Sequence, residues 1–324
     1  MTKQFTKFPS LENTYRQKEI DKIQSMMIKD KWVVTEKVHG ANFSFWMTEE
    51  HLSVEGIGLC STVVIKCAKR SGWIEDDEKF FNYQPVLEKY RDSLERLYYH
   101  LSGTHACNEV VVFGELYGGN IQSGMCYKDD QDFIAFDMKI DDVSVDKLAM
   151  FNDLKTCEIP CVPLLGKFDT LQEALNFNES FDSLLMKEGF SGEEKHKEAE
   201  GVVIEPVTPS WFPNGSRVYF KKKTKRFLEK GGNKIHKPVE NLPKELEGVL
   251  TQAFEYINEP RFNAVVSKIG EVTIKDIGKV MGFMTKDILE DMEKDSLIIP
   301  ENKKFMKLLQ QEVQNFIRPI LLQN

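Results

Sequence analysis

The chain has 324 residues, 41% apolar and 29% charged, with a formal net charge of −8 at pH 7. That length favours two domains over one small core, and the composition excludes a disordered or fibrous protein. No apolar run approaches the roughly 20 residues that span a bilayer, Met1 to Lys7 offer no signal-peptide core, and the six cysteines include no Cys-x-x-Cys pair, so the expectation is a cytoplasmic protein without a zinc site or disulfide framework.

Residues 8–28 predict a helical entry segment, with Ser10 and Asn13 as caps and Ile20, Ile23 and Met26 at helical spacing. Trp32-Val33-Val34 opens a strand over 32–36 that places the Lys37 amine at a strand-to-loop junction. Gly40 has no Cβ, so its backbone can approach a phosphate closely. The bare pattern Lys-x-x-Gly occurs four times, at Lys37, Lys69, Lys275 and Lys279, and identifies nothing by itself. Residues 42–47 and 53–66 read as a long hairpin with Gly56 and Gly58 near its bend. Lys69 and Arg70 at its end face either a phosphate or solvent. Residues 75–101 read as a helix with Phe80, Phe81, Tyr90, Leu94 and Leu97 on one side.

Val110 to Gly118 reads as a buried strand that carries Glu115. Burying a carboxylate without a partner is costly, so Glu115 either caps a loop or meets a ligand hydroxyl. Asp132 to Met138 is a second such strand, and its Phe136 is either core or a flat surface for a purine. Residues 143–155 and 170–187 read as helices, with a short strand from Cys161 to Gly166 between them. Glu188 to Lys197 reads as an acidic loop. Glu200-Gly201 then introduces a β-branched strand. Arg217 to Lys223 reads as a strand whose alternation puts Lys221 and Lys223 on one face and Lys222 on the other. From Arg217 to Lys237 nine Lys/Arg stand against one acid, Glu229. On an acidic protein that stretch is either a local polyanion site or a solvated surface. The expected organisation is a first domain over 1–230, a linker over 231–242, and a helical domain of about 80 residues over 243–324.

Taken together, the motifs resemble the RNA ligase 2 family, the phage-type nick-sealing branch of the covalent nucleotidyltransferases that also include DNA ligases and capping enzymes. The matching stretches are Glu36 to Ser44, Lys66 to Arg70, Phe113-Gly114-Glu115, Phe133 to Asp137, Glu200 to Val203, Arg217 to Lys223 and, further on, Ser267 to Glu271 and Lys275 to Gly282. The resemblance implies an α+β nucleotidyltransferase (ATP-grasp-like ligase) domain of antiparallel sheets with flanking helices, plus an all-α C-terminal domain. It implies an ATP-dependent RNA ligase that uses Mg²⁺ or Mn²⁺ and joins 3′-OH and 5′-phosphate ends at nicks in duplex RNA. The chain would be a monomer, with a viral origin in a host cytoplasm. By the same resemblance Lys37 is the nucleophile that takes AMP, and Glu36, Val38, Asn42, Arg70, Glu115, Phe136, Lys221 and Lys223 bind the nucleotide. Glu200 serves the metal, and His39, Arg261 and Asp287 serve RNA or triphosphate steps. For Arg261 and Asp287 the alternative is a helix-surface ion pair; for His39 it is packing.

The residue types suit that chemistry. A lysine has a reference pKa of roughly 10.4, and only its neutral amine attacks phosphorus; bringing it near 7 takes roughly 4–5 kcal/mol against the cation. Neighbouring cations and desolvation supply this. A DNA ligase or capping guanylyltransferase would follow the first domain with an oligonucleotide-binding β-barrel, which the helical pattern after 243 disfavours. A catalytically silent RNA-binding module would have no use for all the catalytic side chains.

Overall fold

The computed structural model describes residues 5–26, 28–54, 58–119, 121–122, 124–125, 127–186, 188, 196–231 and 244–323. The chain divides into two compact units, Met1–Thr224 and Lys225–Asn324.

The first unit is built on two sheets. One has the order β1 (Glu12–Asn13), β11 (Phe220–Lys223), β10 (Gly201–Pro206), β2 (Trp32–Glu36), β9 (Leu164–Phe168). The other has the order β5 (Gly72–Trp73), β4 (Gly58–Lys69), β3 (Ala41–Val54), β6 (Glu109–Gly118), β7 (Gln131–Ile140), β8 (Val143–Ser144). Neighbours are antiparallel except β1 with β11, which run parallel. Strand β2 is buried along its whole length, which explains its continuous apolar run.

Helices α1 (Gln17–Met26) and α4 (Leu171–Leu175) cover the outer face of the first sheet, where Ile20, Ile23, Leu171 and Ala174 meet Trp32, Val34, Ile204 and Phe220. Helix α2 (Gln84–His105) covers the second sheet, with Tyr90 edge-on to Phe133. Between the sheets lie Trp46, Ala68, Val111 and Phe113 from one and Val203 and Tyr219 from the other. The chain passes from β2 to β3, and so from one sheet to the other, through Lys37–Gly40 alone.

Several boundaries differ from the expectations. The helix expected over 75–101 begins only at Gln84. Phe81 and Asn82 have φ of 47° and 49°, and Phe80 and Phe81 are buried in the core rather than arrayed on a helix face. Among the described residues of 8–28 only Gln17–Met26 is helical; Glu12–Asn13 form β1 and a turn follows at 14–15. The helix of 170–187 stops at Leu175, after a capping box between Thr170 and Glu173. Helix α3 (Lys147–Thr156) starts later than expected because Asp146 caps it, accepting from the Leu148 and Ala149 amides. The long hairpin forms, with Val54 paired to Gly58, while its tip around Gly56 lies outside the described residues.

The second unit is helical: α5 (Lys244–Phe254), α6 (Glu259–Ile269), α7 (Ile277–Lys294) and α8 (Lys303–Leu321), with no strand among its described residues. Leu250, Phe262, Val265, Val280, Met284, Ile288, Phe305, Leu309 and Val313 form its core. Residues 225–231 belong to this unit: Arg261 and Asn258 donate to the Glu229 and Leu228 carbonyls at 3.1 and 3.4 Å. The unit therefore begins before the expected boundary at 230, and the expected linker, apart from Gly231, lies outside the described residues.

Candidate active site

The crossover Lys37–Gly40 is held at nearly every residue. The Lys37 amide donates to the Gly201 carbonyl at 2.9 Å, the His39 amide to the Tyr127 hydroxyl at 3.0 Å, and the Gly40 amide to the Glu115 carboxylate. Gln122 donates to the Gly40 carbonyl at 3.2 Å. Two glycines are obligatory. A Cβ on Gly40 would lie 2.1 Å from the Leu116 carbonyl oxygen, and one on Gly201, whose φ is +143°, would lie 2.1 Å from that of Lys222. Gly40 thus admits the close approach of the crossover to β6, and Gly201 that of β10 to β11.

Three cationic or imidazole groups converge on Glu200. Its Oε2 accepts from Lys37 Nζ at 2.8 Å and lies 3.4 Å from His39 Nδ1; its Oε1 lies 2.8 Å from Lys223 Nζ. Burial alone would raise the Glu200 pKa. Lys223 and Lys37, with His39 adding a hydrogen bond, more than reverse this and hold it well below the usual carboxylate range. The Glu200 side chain is 4% exposed and that of Lys37 20%, so the lysine is the member of the cluster that reaches solvent.

Glu115 sits opposite Asn42 in the β3–β6 pairing. Burial pushes its carboxyl up to about 8, with Glu200 adding to the rise while Lys37, Arg70 and the Gly40 amide oppose it. Arg70 donates to the Ser10 hydroxyl at 2.9 Å. Val38 and Phe136 border one apolar cluster with Tyr117, Tyr127, Ile134 and Val162. Phe136 is half-buried. The Glu36 carboxylate turns to the other side, taking bonds from the Ser183 hydroxyl and the Leu184 amide. Burial raises its pKa against those two bonds. Lys221 shares a strand face with Lys223 by alternation. Lys222 points away, donating to the Leu175 and Phe177 carbonyls at 3.0 and 2.8 Å and pairing with Glu179.

The basic stretch from Arg217 is therefore not one polyanion surface. Arg217 is buried in a network that the sequence reading missed. Its guanidinium pairs with Asp137 and, at 3.1 Å, with Glu205; Lys147 lies 2.5 Å from Glu205 and also donates to the Phe136 carbonyl. This network ties β10 of the first sheet to β7 of the second, behind Phe136. Its one sequence signal is the acid that follows Phe136; the partners come from remote segments. Lys234 and Lys237 lie outside the described residues.

In the C-terminal unit Arg261 is 1% exposed. It donates to the Tyr256 carbonyl at 2.9 Å, the Glu229 carbonyl at 3.1 Å and Asp291 at 2.8 Å. It is an interior clamp, not the partner of Asp287 in a surface pair; Asp287 pairs with Lys268.

Among the described residues no three His, Cys, Asp or Glu side chains cluster as a metal cage. Glu200 presents hard oxygens but not a full ligand set. That suits an ion such as Mg²⁺, which keeps several waters and is held by one or two carboxylates together with phosphates.

The RNA ligase family model matches residues 30–223, and the model described as T4 RNA ligase 2 C-terminal matches residues 239–322. RNA-editing ligase 2, mitochondrial, of Trypanosoma brucei brucei is 32% identical over 119 residues, covering 36% of this chain and 26% of that protein. RNA-editing ligase 1, mitochondrial, of the same organism is 27% identical over 115 residues, covering 33% and 22%. The chain thus matches about a quarter of the length of these curated relatives. A mutant RNA ligase of Naegleria gruberi solved with ATP and Mn aligns with a TM-score of 0.46 at 17% identity, covering 69% of this chain and 58% of that one. The ligase with PPi gives 0.46 at 18%, covering 69% and 57%. Likeness of that degree carries no conclusion by itself.

Proposed function

The chain belongs to the RNA ligase 2 family, and from that premise we propose that it is an ATP-dependent ligase that seals nicks in duplex RNA bearing 3′-OH and 5′-phosphate ends. The observation that carries the reading is the convergence of Lys37, His39 and Lys223 on buried Glu200, at the crossover between the two sheets.

Lys37 Nζ attacks the α-phosphorus of ATP. A P–N bond forms, the bond to the bridging oxygen breaks, and pyrophosphate leaves with that electron pair. The amine must first lose a proton, and its one-fifth exposure gives the proton a route to water. Glu200, held well below the usual range, aims the amine rather than keeping the proton. Lys223 and Lys221 stabilise the charge that grows on the leaving group. Adenine lies between Val38 and Phe136, and Glu115 receives a ribose hydroxyl beside Asn42 and Arg70. A Mg²⁺ or Mn²⁺ delivered with ATP, held by Glu200 and water, would supply further positive charge at the phosphates. The AMP then passes from Lys37 to an oxygen of the RNA 5′-phosphate, which regenerates the amine. Finally a 3′-OH attacks the activated phosphate and AMP departs. Duplex RNA is recognised by shape, 2′-OH and phosphate, so the reaction does not call for side chains that read bases. In the C-terminal unit we assign a contribution to the RNA steps to Asp287 and structural support to Arg261. The proposal includes a monomeric, cytoplasmic enzyme.

Intact-mass measurement after incubation with ATP and Mg²⁺ tests the first step. The expected result is an adduct of one AMP, absent from Lys37→Ala and discharged by nicked duplex RNA. Lack of any adduct, after pyrophosphate has stripped AMP carried from expression, would leave an RNA-binding module as the better reading.

A further inference from the structure

The family match begins at residue 30, yet the segment before it reaches three of the residues assigned to the nucleotide. Residues 5–14 form a strap that packs on these residues and ends in β1. Phe8 is buried, with its ring edge-on to Phe136 at a centroid distance of 5.0 Å and tilted against Phe113 at 5.0 Å. The Ser10 hydroxyl accepts from Arg70 at 2.9 Å. Strand β1 sets Asn13 opposite Lys221, and the Thr14 amide donates to the Lys221 carbonyl at 3.1 Å. The strap is itself fastened: the Tyr219 hydroxyl donates to the Pro9 carbonyl at 3.0 Å, and Phe5 packs against Trp46 and Trp73.

In the proposed reading Phe136 meets the base of the nucleotide, and Arg70 and Lys221 meet its ribose and phosphates. A half-buried Phe136 offers a stacking face only if its ring plane is fixed, and Phe8 fixes it from the edge, in the geometry that aromatic pairs favour. A long Arg side chain loses rotamer freedom when it grips a phosphate or ribose. The bond to Ser10 removes part of that freedom beforehand, while Arg70 still acts electrostatically on Glu115. Binding to a preordered site is tighter because less ordering remains to be done.

We propose that Phe8 and Ser10 are positioning residues of the nucleotide site, which set its affinity for ATP through Phe136 and Arg70. The proposal rests on the lysyl-AMP chemistry above. Its test is the rate of AMP adduct formation by the full chain at varied ATP. Phe8→Ala is expected to raise KM for ATP about tenfold and Phe8→Leu, which keeps the site filled, about threefold. Ser10→Ala is expected to raise it about threefold, as loss of one exposed hydrogen bond to a charged group. Rates at saturating ATP stay within about twofold of the parent in each case. In an Arg70→Ala background Ser10→Ala has no further effect, since the two act as one unit. The strap proposal is overturned if Ser10→Ala and Phe8→Leu both leave KM unchanged, or if the Ser10 effect persists in full without Arg70. A parent chain that forms no adduct overturns the ligase reading instead.

Discussion

Glu200 immediately precedes strand β10 and Glu205 lies within it, and each is a buried carboxylate gripped by two cations. Glu205 meets Lys147 and Arg217, and all three side chains are 4% exposed. Glu200 meets Lys223 and Lys37, but Lys37 is 20% exposed. Both clusters set two cations on one buried carboxylate; their access to solvent differs. A sealed cluster holds sheets together because none of its members can leave without stranding a charge. An open one can exchange a member for a ligand. In this unit the two clusters differ in one cation: Lys37 reaches solvent, whereas Lys147 and Arg217 do not.

The largest effect is expected of Arg217→Met. It strands Asp137 and leaves Glu205 to Lys147 alone, and loss of one partner from a buried ionic group costs about 3–5 kcal/mol. Denaturant unfolding should show that loss, while AMP adduct formation per folded molecule is retained. Lys223→Ala should weigh the other way: adduct formation slows about 10²–10³-fold, the range for removing a charge-stabilising donor, with a smaller loss of stability than Arg217→Met because Lys37 and His39 still face Glu200. Equal stability losses in the two variants would erase the distinction between the clusters. A smaller effect separates the two carboxylates beside Lys37. Native Glu115 keeps its proton up to about 8 and the unfolded chain loses it near 4.5, so the native state binds more protons across that window and stability falls as pH rises through it. Glu200 is shifted the other way: its contribution is present above 4.5 and is lost as pH falls toward its depressed native value. Melting of Glu115→Gln between pH 5 and pH 8 should accordingly decline less than that of the parent; an identical decline would remove Glu115 from this account. The smallest effect is expected of Lys222→Ala, whose side chain ties carbonyls on the opposite face. Its adduct rate should stay within about threefold of the parent, against the collapse expected one residue along.

What could be read from sequence follows from range. Strands β2, β6, β7 and β10 show as apolar runs, and the C-terminal helices as an apolar period, because each is fixed by its own residues. The alternation of Lys221, Lys222 and Lys223 is equally local. Phe80 and Phe81 misled the reading because two adjacent aromatics satisfy a helical pattern as well as they plug a core. Arg217 misled it more seriously: its acids are Asp137 and Glu205, and the first is 80 residues away. Ser10 gave no sign at all that it would meet Arg70, since nothing in a serine's neighbours reports a partner across the fold.

The crossover of only four residues has a mechanical consequence. At one end Lys37–Gly40 staples the sheets; behind Phe136 the Asp137–Arg217–Glu205–Lys147 network rivets them again. Jaws fixed at two points cannot gape. Under the proposed reading a nucleotide would enter and pyrophosphate would leave past side chains such as Lys37 and Arg70 without parting of the two sheets, and rotamer motion in ps–ns where they are exposed is too fast to limit turnover.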